Sequence, residues 1–171
     1  MAQINLNKSS GQNFELVFPI TPVTKNLRDS EVLTLNIHGT IIPAITLATT
    51  EVAWQGGQYP MAMSPITFEP WYVNFVVDSN WTNWLLLYKW ITFIDDGNTH
   101  YGKEKEDYFV DAHLHIYDNA NNKVLGVTII NIYPTSLNEV TLSQRDGQEN
   151  LECGVNFNYT RIGVERVGVV D

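Results

Sequence analysis

The chain has 171 residues, 44% apolar and 12% aromatic, with only 17% charged. That suits one domain with a core large enough to need no disulfide or metal, and rich Val, Ile, Thr, Tyr, Phe and Trp tilt it towards β structure. The net charge of −9 and thinly spread Lys and Arg exclude a basic grip on DNA, RNA or an anionic membrane, but not a surface over which DNA slides without sticking.

The polar stretch 1–13 predicts a docking arm. It lacks the basic region, apolar run and cleavage site of a signal peptide, and Cys153 is the lone cysteine. Both features fit a soluble protein made and assembled in the cytoplasm. "FELVFPI" (14–20) alternates and predicts a first strand, and "EVLTLNIHG" (31–39) a second that ends at Gly39. The segment 41–65 holds Thr pairs and two prolines around Gly56-Gly57, which predicts a long hairpin projecting from the body. "ITFEPWYVNFVVD" (66–78) is apolar on both parities and predicts a strand buried on both sides.

Asp78 or Ser79 can cap a helix over 79–94. Trp81, Trp84, Leu85 and Tyr88 share one face at helical spacing and are expected in the core. Leu86, Leu87, Trp90, Phe93 and Ile94 cover much of the rest and are expected to meet a neighbouring subunit. Trp54 and Tyr59 of the hairpin are expected at the same kind of interface. A polar loop (95–107) follows, with Asp95-Asp96-Gly97 read as the turn that ends the helix.

Three more strands complete the pattern. "YFVDAHLHIYD" (108–118) sets Val110, Ala112, Leu114 and Ile116 against Asp111, His113 and His115. "KVLGVTIINIYP" (123–134) returns through the turn residues "NANN" and ends at Pro134. "LECGVNFNYTRI" (151–162) alternates Leu151, Cys153, Val155, Phe157 and Tyr159 with Glu152, Gly154, Asn156 and Asn158. The tail 163–171 is short and apolar and can add an edge strand. The expected fold is mainly β: an antiparallel sandwich or barrel flanked by one helix.

No catalytic residue stands out: the chain lacks G-x-S-x-G, a P-loop and G-x-G-x-x-G. Cys153 sits on a core face with no activating partner. His113 and His115 are two apart on one strand face and can hold a metal, with Asp111 next along; a polar solvent-facing stripe explains them as well. No cofactor is implied, and a metal- or ligand-binding sandwich built on that pair remains an alternative.

The order of elements resembles the tail tube proteins of phages with contractile tails. Thr67, Phe68, Trp71, Val73 and Phe75, then Asp78 and Trp90, match the family's aromatic strand, cap and helix end. Tyr133-Pro134-Thr135 matches its aromatic-Pro-Thr turn before a polar loop and a last alternating strand. The likeness covers roughly 14–162, most closely 66–94 and 124–160, between the arm (1–13) and tail (163–171). It implies a hexameric ring, stacked into a hollow tube, with strands joining a barrel that runs across subunits. It implies a virion location and tail sheath and baseplate or neck proteins as partners, with DNA only in transit and no membrane. Glu152, Asn156 and Asn158 are then the first candidates for the tube lining, and Asp111, His113 and His115 the second. A tube-like ring of the baseplate, the tail end or a bacterial injection machine is the alternative.

Overall fold

The computed structural model describes residues 13–18, 34, 36–54, 56–99, 108–143 and 150–167. They form strands β1 (Phe14–Val17), β2 (Ile37–Thr40), β3 (Ile45–Trp54), β4 (Gly57–Phe68) and β5 (Trp71–Val76), then helix α1 (Thr82–Thr99). Four more strands follow: β6 (Val110–Tyr117), β7 (Lys123–Leu137), β8 (Glu152–Asn158) and β9 (Arg161–Arg166). The expected arm lies outside the described residues except for Asn13, as does most of 31–36. The class is mainly β with one helix, all described strand pairs being antiparallel.

The main sheet runs β1-β6-β7-β8-β5-β2, and β9 also pairs with β7. It is open; no closed barrel forms among the described residues. β7 organises it. Its first half pairs with β6 on one side and β9 on the other, while its second half pairs with β8. The change falls at Asn131, whose φ of 57° is left-handed. Asn131 tolerates that conformation better than a branched residue would. Its backbone N–H donates to Asp111 Oδ1 at 2.8 Å, so β6 holds the bend in place. Pro134, expected to end the strand, lies buried inside it, and Tyr133-Pro134-Thr135 is strand rather than turn. The register shifts between Pro134 and Ser136, which accommodates a residue with no N–H to donate.

The bend gives the sheet two halves whose inner faces share one core. Leu16, Ala112, Leu114, Val127 and Ile129 come from one half, and Trp71, Val73, Phe75, Val155 and Phe157 from the other. Phe18, just beyond β1, joins them: its ring lies 6.0 Å from Trp71 and 5.6 Å from Phe157. β5 is buried on one face only; Tyr72, Asn74 and Val76 are half-exposed, so the expected two-sided burial is corrected. Gly39 sits within β2 rather than ending it. β9 crosses the 162–163 boundary, so Gly163–Arg166 belong to the sheet.

The helix starts three residues later than the sequence predicts and runs on through Asp95-Asp96-Gly97 to Thr99. Asp78 is the cap: its Oδ1 accepts the N–H groups of Asn80 (2.6 Å) and Thr82 (3.1 Å). Asn83, fully buried, ties the helix to the end of β5. Its amide donates to the Val76 carbonyl at 2.7 Å, and its Oδ1 accepts the N–H of Asp78 at 3.2 Å.

Candidate functional site

With catalytic chemistry absent from the sequence reading, the surfaces of interest are the hairpin, the outside of the helix and the outer sheet faces. β3 and β4 form a separate two-stranded sheet that turns at Gly56 (φ 83°). At its root the Glu69 N–H donates to the Ala44 carbonyl (3.2 Å) and the Tyr159 hydroxyl donates to the Glu69 carbonyl (2.9 Å). Beyond the root it carries exposed apolar side chains. Val52 pairs with Tyr59 and Thr50 with Met61, which puts Val52, Tyr59, Met61 and Met63 on one face by the two-residue pleat. Ile45, Leu47 and Ile66 form a second exposed apolar set. The long hairpin is therefore as expected, and Tyr59 is exposed on it. Trp54 pairs with Gly57 at the turn.

The helix is turned over relative to the expectation. Leu86, Leu87 and Trp90, expected against a neighbour, are buried in this subunit's own core; Trp90 is 1% exposed. Its ring lies 6.0 Å from Phe157, and its Nε1–H donates to the Tyr108 carbonyl at 3.1 Å. Phe93 is half-buried, and Ile94 is half-buried and packs against the core. Leu85 and Tyr88, expected inside, are 42% and 49% exposed. Trp81 and Trp84 lie between, packed on the core's margin, and Trp84 stacks on Tyr88 at 5.5 Å and 6°. A helix apolar on nearly every side has no stripe to orient it. The carboxamide of Asn83 and the indole of Trp90, each buried and bonded to a backbone carbonyl, set the rotation instead.

The two lining candidates lie on outer faces of different halves of the sheet. Glu152, Asn156 and Asn158 face outward from β8, and Cys153, Val155 and Phe157 inward, as the alternation predicts. Around them His38 Nε2 stands 3.6 Å from Glu152 Oε2, and Asn156 Nδ2 donates to Ser136 Oγ at 2.9 Å. Tyr72 lies across Gly154 on this face, a feature the sequence alternation did not signal.

On the other half, Asp111 is exposed and His113 and His115 are half-buried on β6. The imidazoles stack with centroids 6.4 Å apart and planes 14° apart. His113 Nδ1 lies 3.2 Å from Thr128 Oγ1, while His115 Nδ1 is buried with no hydrogen-bond partner. Burial, then the Lys123 ammonium, lowers the His115 pKa against the pull of Glu15. Asp111 is engaged with Asn131, and among the described residues no group of three His, Cys, Asp or Glu gathers that could hold a metal. Among the described residues the pair therefore has no further ligands of the kind that the metal-binding alternative needs. Cys153 is buried, which raises its pKa and leaves an inert thiol.

Comparison with known proteins adds the family. The chain is 28% identical over 173 residues to the tail tube terminator protein of Enterobacteria phage T4, covering 96% of this chain and 93% of that protein. Its fold is similar to a chain in the cryo-EM structure of the anti-feeding prophage tube-terminating cap (TM-score 0.65, 11% identity, 98% of this chain and 97% of the other). It is similar also to a chain of an extracellular contractile injection system, the PVC sheath-tube complex in its extended state (TM-score 0.66, 13% identity, 95% and 94%). The sequence pattern of the phage tail tube protein family matches residues 7–165, and the chain belongs to that family.

Proposed function

We propose that this chain forms the ring that terminates the tail tube of a contractile phage tail, a structural and non-enzymatic part of the virion. The observation that carries the reading is the 28% identity over 96% of the chain to the T4 tail tube terminator. The structural likenesses to a cap and to a sheath-tube complex have nearly equal TM-scores and bear on the fold alone. The reading therefore favours the tail-end ring over the main tube subunit. Tail sheath and baseplate or neck proteins are the partners, and assembly takes place in the host cytoplasm.

The ring is a hexamer, joined by sheet edges. In the half β1-β6-β7-β9 both outer strands, β1 and β9, have an unpaired edge among the described residues. Joining edge to edge around a ring removes edges that would otherwise aggregate. The outer face of that half, with Glu15, Asp111, His113, His115 and Glu165, then lines the lumen. Glu152, Asn156 and Asn158 belong to the other half, which ends at β2 among the described residues, and the reading places them away from the lumen. Carboxylates in the wall would let DNA pass without adhering, since like charges close by repel.

Negative-stain microscopy of the purified protein, alone and added to tubes grown from a main tube protein, tests this. Hollow sixfold rings that do not elongate, and that cap tube ends and stop growth, are expected. Long tubes built from this chain alone would make it the main tube subunit. Monomers only, with no binding to tube ends, would overturn the reading.

A further inference from the structure

The half-sheet β1-β6-β7-β9 consists of antiparallel pairs throughout. Its strands alternate in direction, so β1 and β9 run opposite ways. Copies related by rotation about a ring axis share one orientation, and β9 of one copy then meets β1 of the next as a further antiparallel pair. Val164 on β9 is the residue that such a pair would cover. It stands opposite buried Val127, and Ile162 opposite buried Ile129, so both face the core side of the sheet. Yet Val164 is 60% exposed, and β9 pairs only with β7 among the described residues. On β1, Phe14 and Leu16 stand opposite Ile116 and Leu114 on the core side. Glu15 and Val17 stand opposite His115 and His113 on the outer face.

We propose that the joint between copies pairs β9 of one with β1 of the next in a single register, Val164 opposite Phe14, a proposal that rests on the ring reading above. On the core side Val164 meets Phe14 and Ile162 meets Leu16, so the exposed valine is covered by apolar neighbours. On the outer face Gly163 meets Glu15, Arg161 meets Val17 and Glu165 meets Asn13. Arg161 then lies diagonally across from Glu15, a separation that a long side chain spans. The Glu15 carboxylate accepts from the Tyr117 hydroxyl through Oε2 at 2.7 Å, and a carboxylate has further acceptor positions for a guanidinium. Gly163, with no side chain, leaves the space beside Glu15 open for that approach.

The neighbouring registers are each worse for a stated reason. A slip of one residue sets core-side Val164 against outer-face Glu15, and the pleat bars it. A slip of two residues one way sets Val164 against Leu16 but brings Glu165 directly opposite Glu15. Two carboxylates facing each other across a ladder are destabilising. A slip of two the other way sets Arg161 opposite Glu15, an opposite-charge pair, but leaves Val164 facing Gln12. Only the proposed register keeps apolar against apolar on the core side and no like charges in opposition on the outer one. Glu15 and Glu165 thus select the register, and Val164 supplies the contact.

Cysteine pairs in the full chain test the register. Within one copy β6 and β7 separate β1 from β9 by roughly 14 Å, so any disulfide between the two strands joins different copies. A Cβ built on Gly163 comes no nearer than 3.9 Å to the Thr128 carbonyl oxygen, so Gly163→Cys has room, and native Cys153 is buried. After mild oxidation, Gly163→Cys/Glu15→Cys should give a ladder of covalent oligomers on a non-reducing gel, and Arg161→Cys/Val17→Cys should give the same ladder. Gly163→Cys/Val17→Cys and Gly163→Cys/Asn13→Cys sample the two slipped registers. They should cross-link far more slowly, because diagonal neighbours lie about 7–8 Å apart and a disulfide spans about 4.4–6.8 Å. Faster cross-linking by either slipped pair would overturn the register, and so would rings in micrographs that give no ladder from a matched pair. Val164→Asp is a check free of cysteines: it should keep the melting temperature of the monomer and prevent ring formation. Rings that form unchanged in that variant would overturn the joint while leaving the ring reading standing. An unsubstituted chain that forms no rings would overturn both.

Discussion

Tyr72 and Gly154 decide how the outer face of β5 and β8 is packed. A Cβ built on Gly154 would overlap the Tyr72 hydroxyl and come within 2.6 Å of ring carbon Cε2. Gly154 is paired with Asn74, two residues along from the register of Tyr72 with Asn156, so the ring leans diagonally over it. Both backbones are held by the ladder, and the ring must therefore be the part that gives way. Gly154→Ala should destabilise the fold by about 1–3 kcal/mol, the usual cost of overpacking a filled site. In the Tyr72→Ala background most of that cost should disappear, because the three nearest atoms all belong to that side chain. Urea denaturation of the two single variants and the double variant checks this. Additive costs would mean that the glycine serves the backbone rather than the tyrosine.

At the scale of the element, the helix shows where sequence periodicity stops informing. Its interior face is set by Asn83, Leu86, Leu87 and Trp90, all buried. Trp90→Ala should cost about 3–5 kcal/mol in folding stability, as for other fully buried large side chains. Tyr88→Ser, on the exposed face, should shift stability by no more than about 0.5–1 kcal/mol, with some loss of its stacking on Trp84. Thermal denaturation of both variants separates this rotation from the opposite one, in which Tyr88 would be the costly site. Strands with one polar parity were readable: in β6 and β8 every second residue is apolar, and those residues face the core, with Ala112, Leu114, Cys153, Val155 and Phe157 buried and Val110 and Ile116 packed at its margin. The cap was readable too, because Asp78 directly follows a strand pattern. The helix face was not, since Trp84, Leu85 and Tyr88 obey the same spacing as Leu86, Leu87 and Trp90. The bend in β7 was equally hidden. It depends on a long-range hydrogen bond from Asn131 to Asp111, which no local pattern encodes.

For the whole molecule, the largest apolar excess left uncovered is on the hairpin. A two-stranded hairpin alone in water is marginal at best, and β3 and β4 pair only with each other among the described residues. Its Tyr59, Met61, Met63 and Ile66 are each about half exposed or more (56%, 55%, 48% and 52%). Exposed apolar surface of this extent is the kind that association buries. In the assembly reading its partner is an adjoining ring. Burying a large apolar side chain is worth about 1.5–3 kcal/mol, so two charged replacements should weaken the contact by roughly a hundredfold or more. The double variant Tyr59→Asp/Met61→Asp should therefore keep the melting temperature of the body while failing to bind tube ends in micrographs. Val124→Asp is the matched control: it adds a charge at an exposed apolar site on β7, away from the hairpin, and should bind as before. If the double variant binds tube ends with unchanged occupancy, the hairpin is not the contact. If it instead unfolds the body, the hairpin belongs to this subunit's own stability. Only retained folding with lost binding fits a hairpin that the single chain leaves uncovered and the assembly buries.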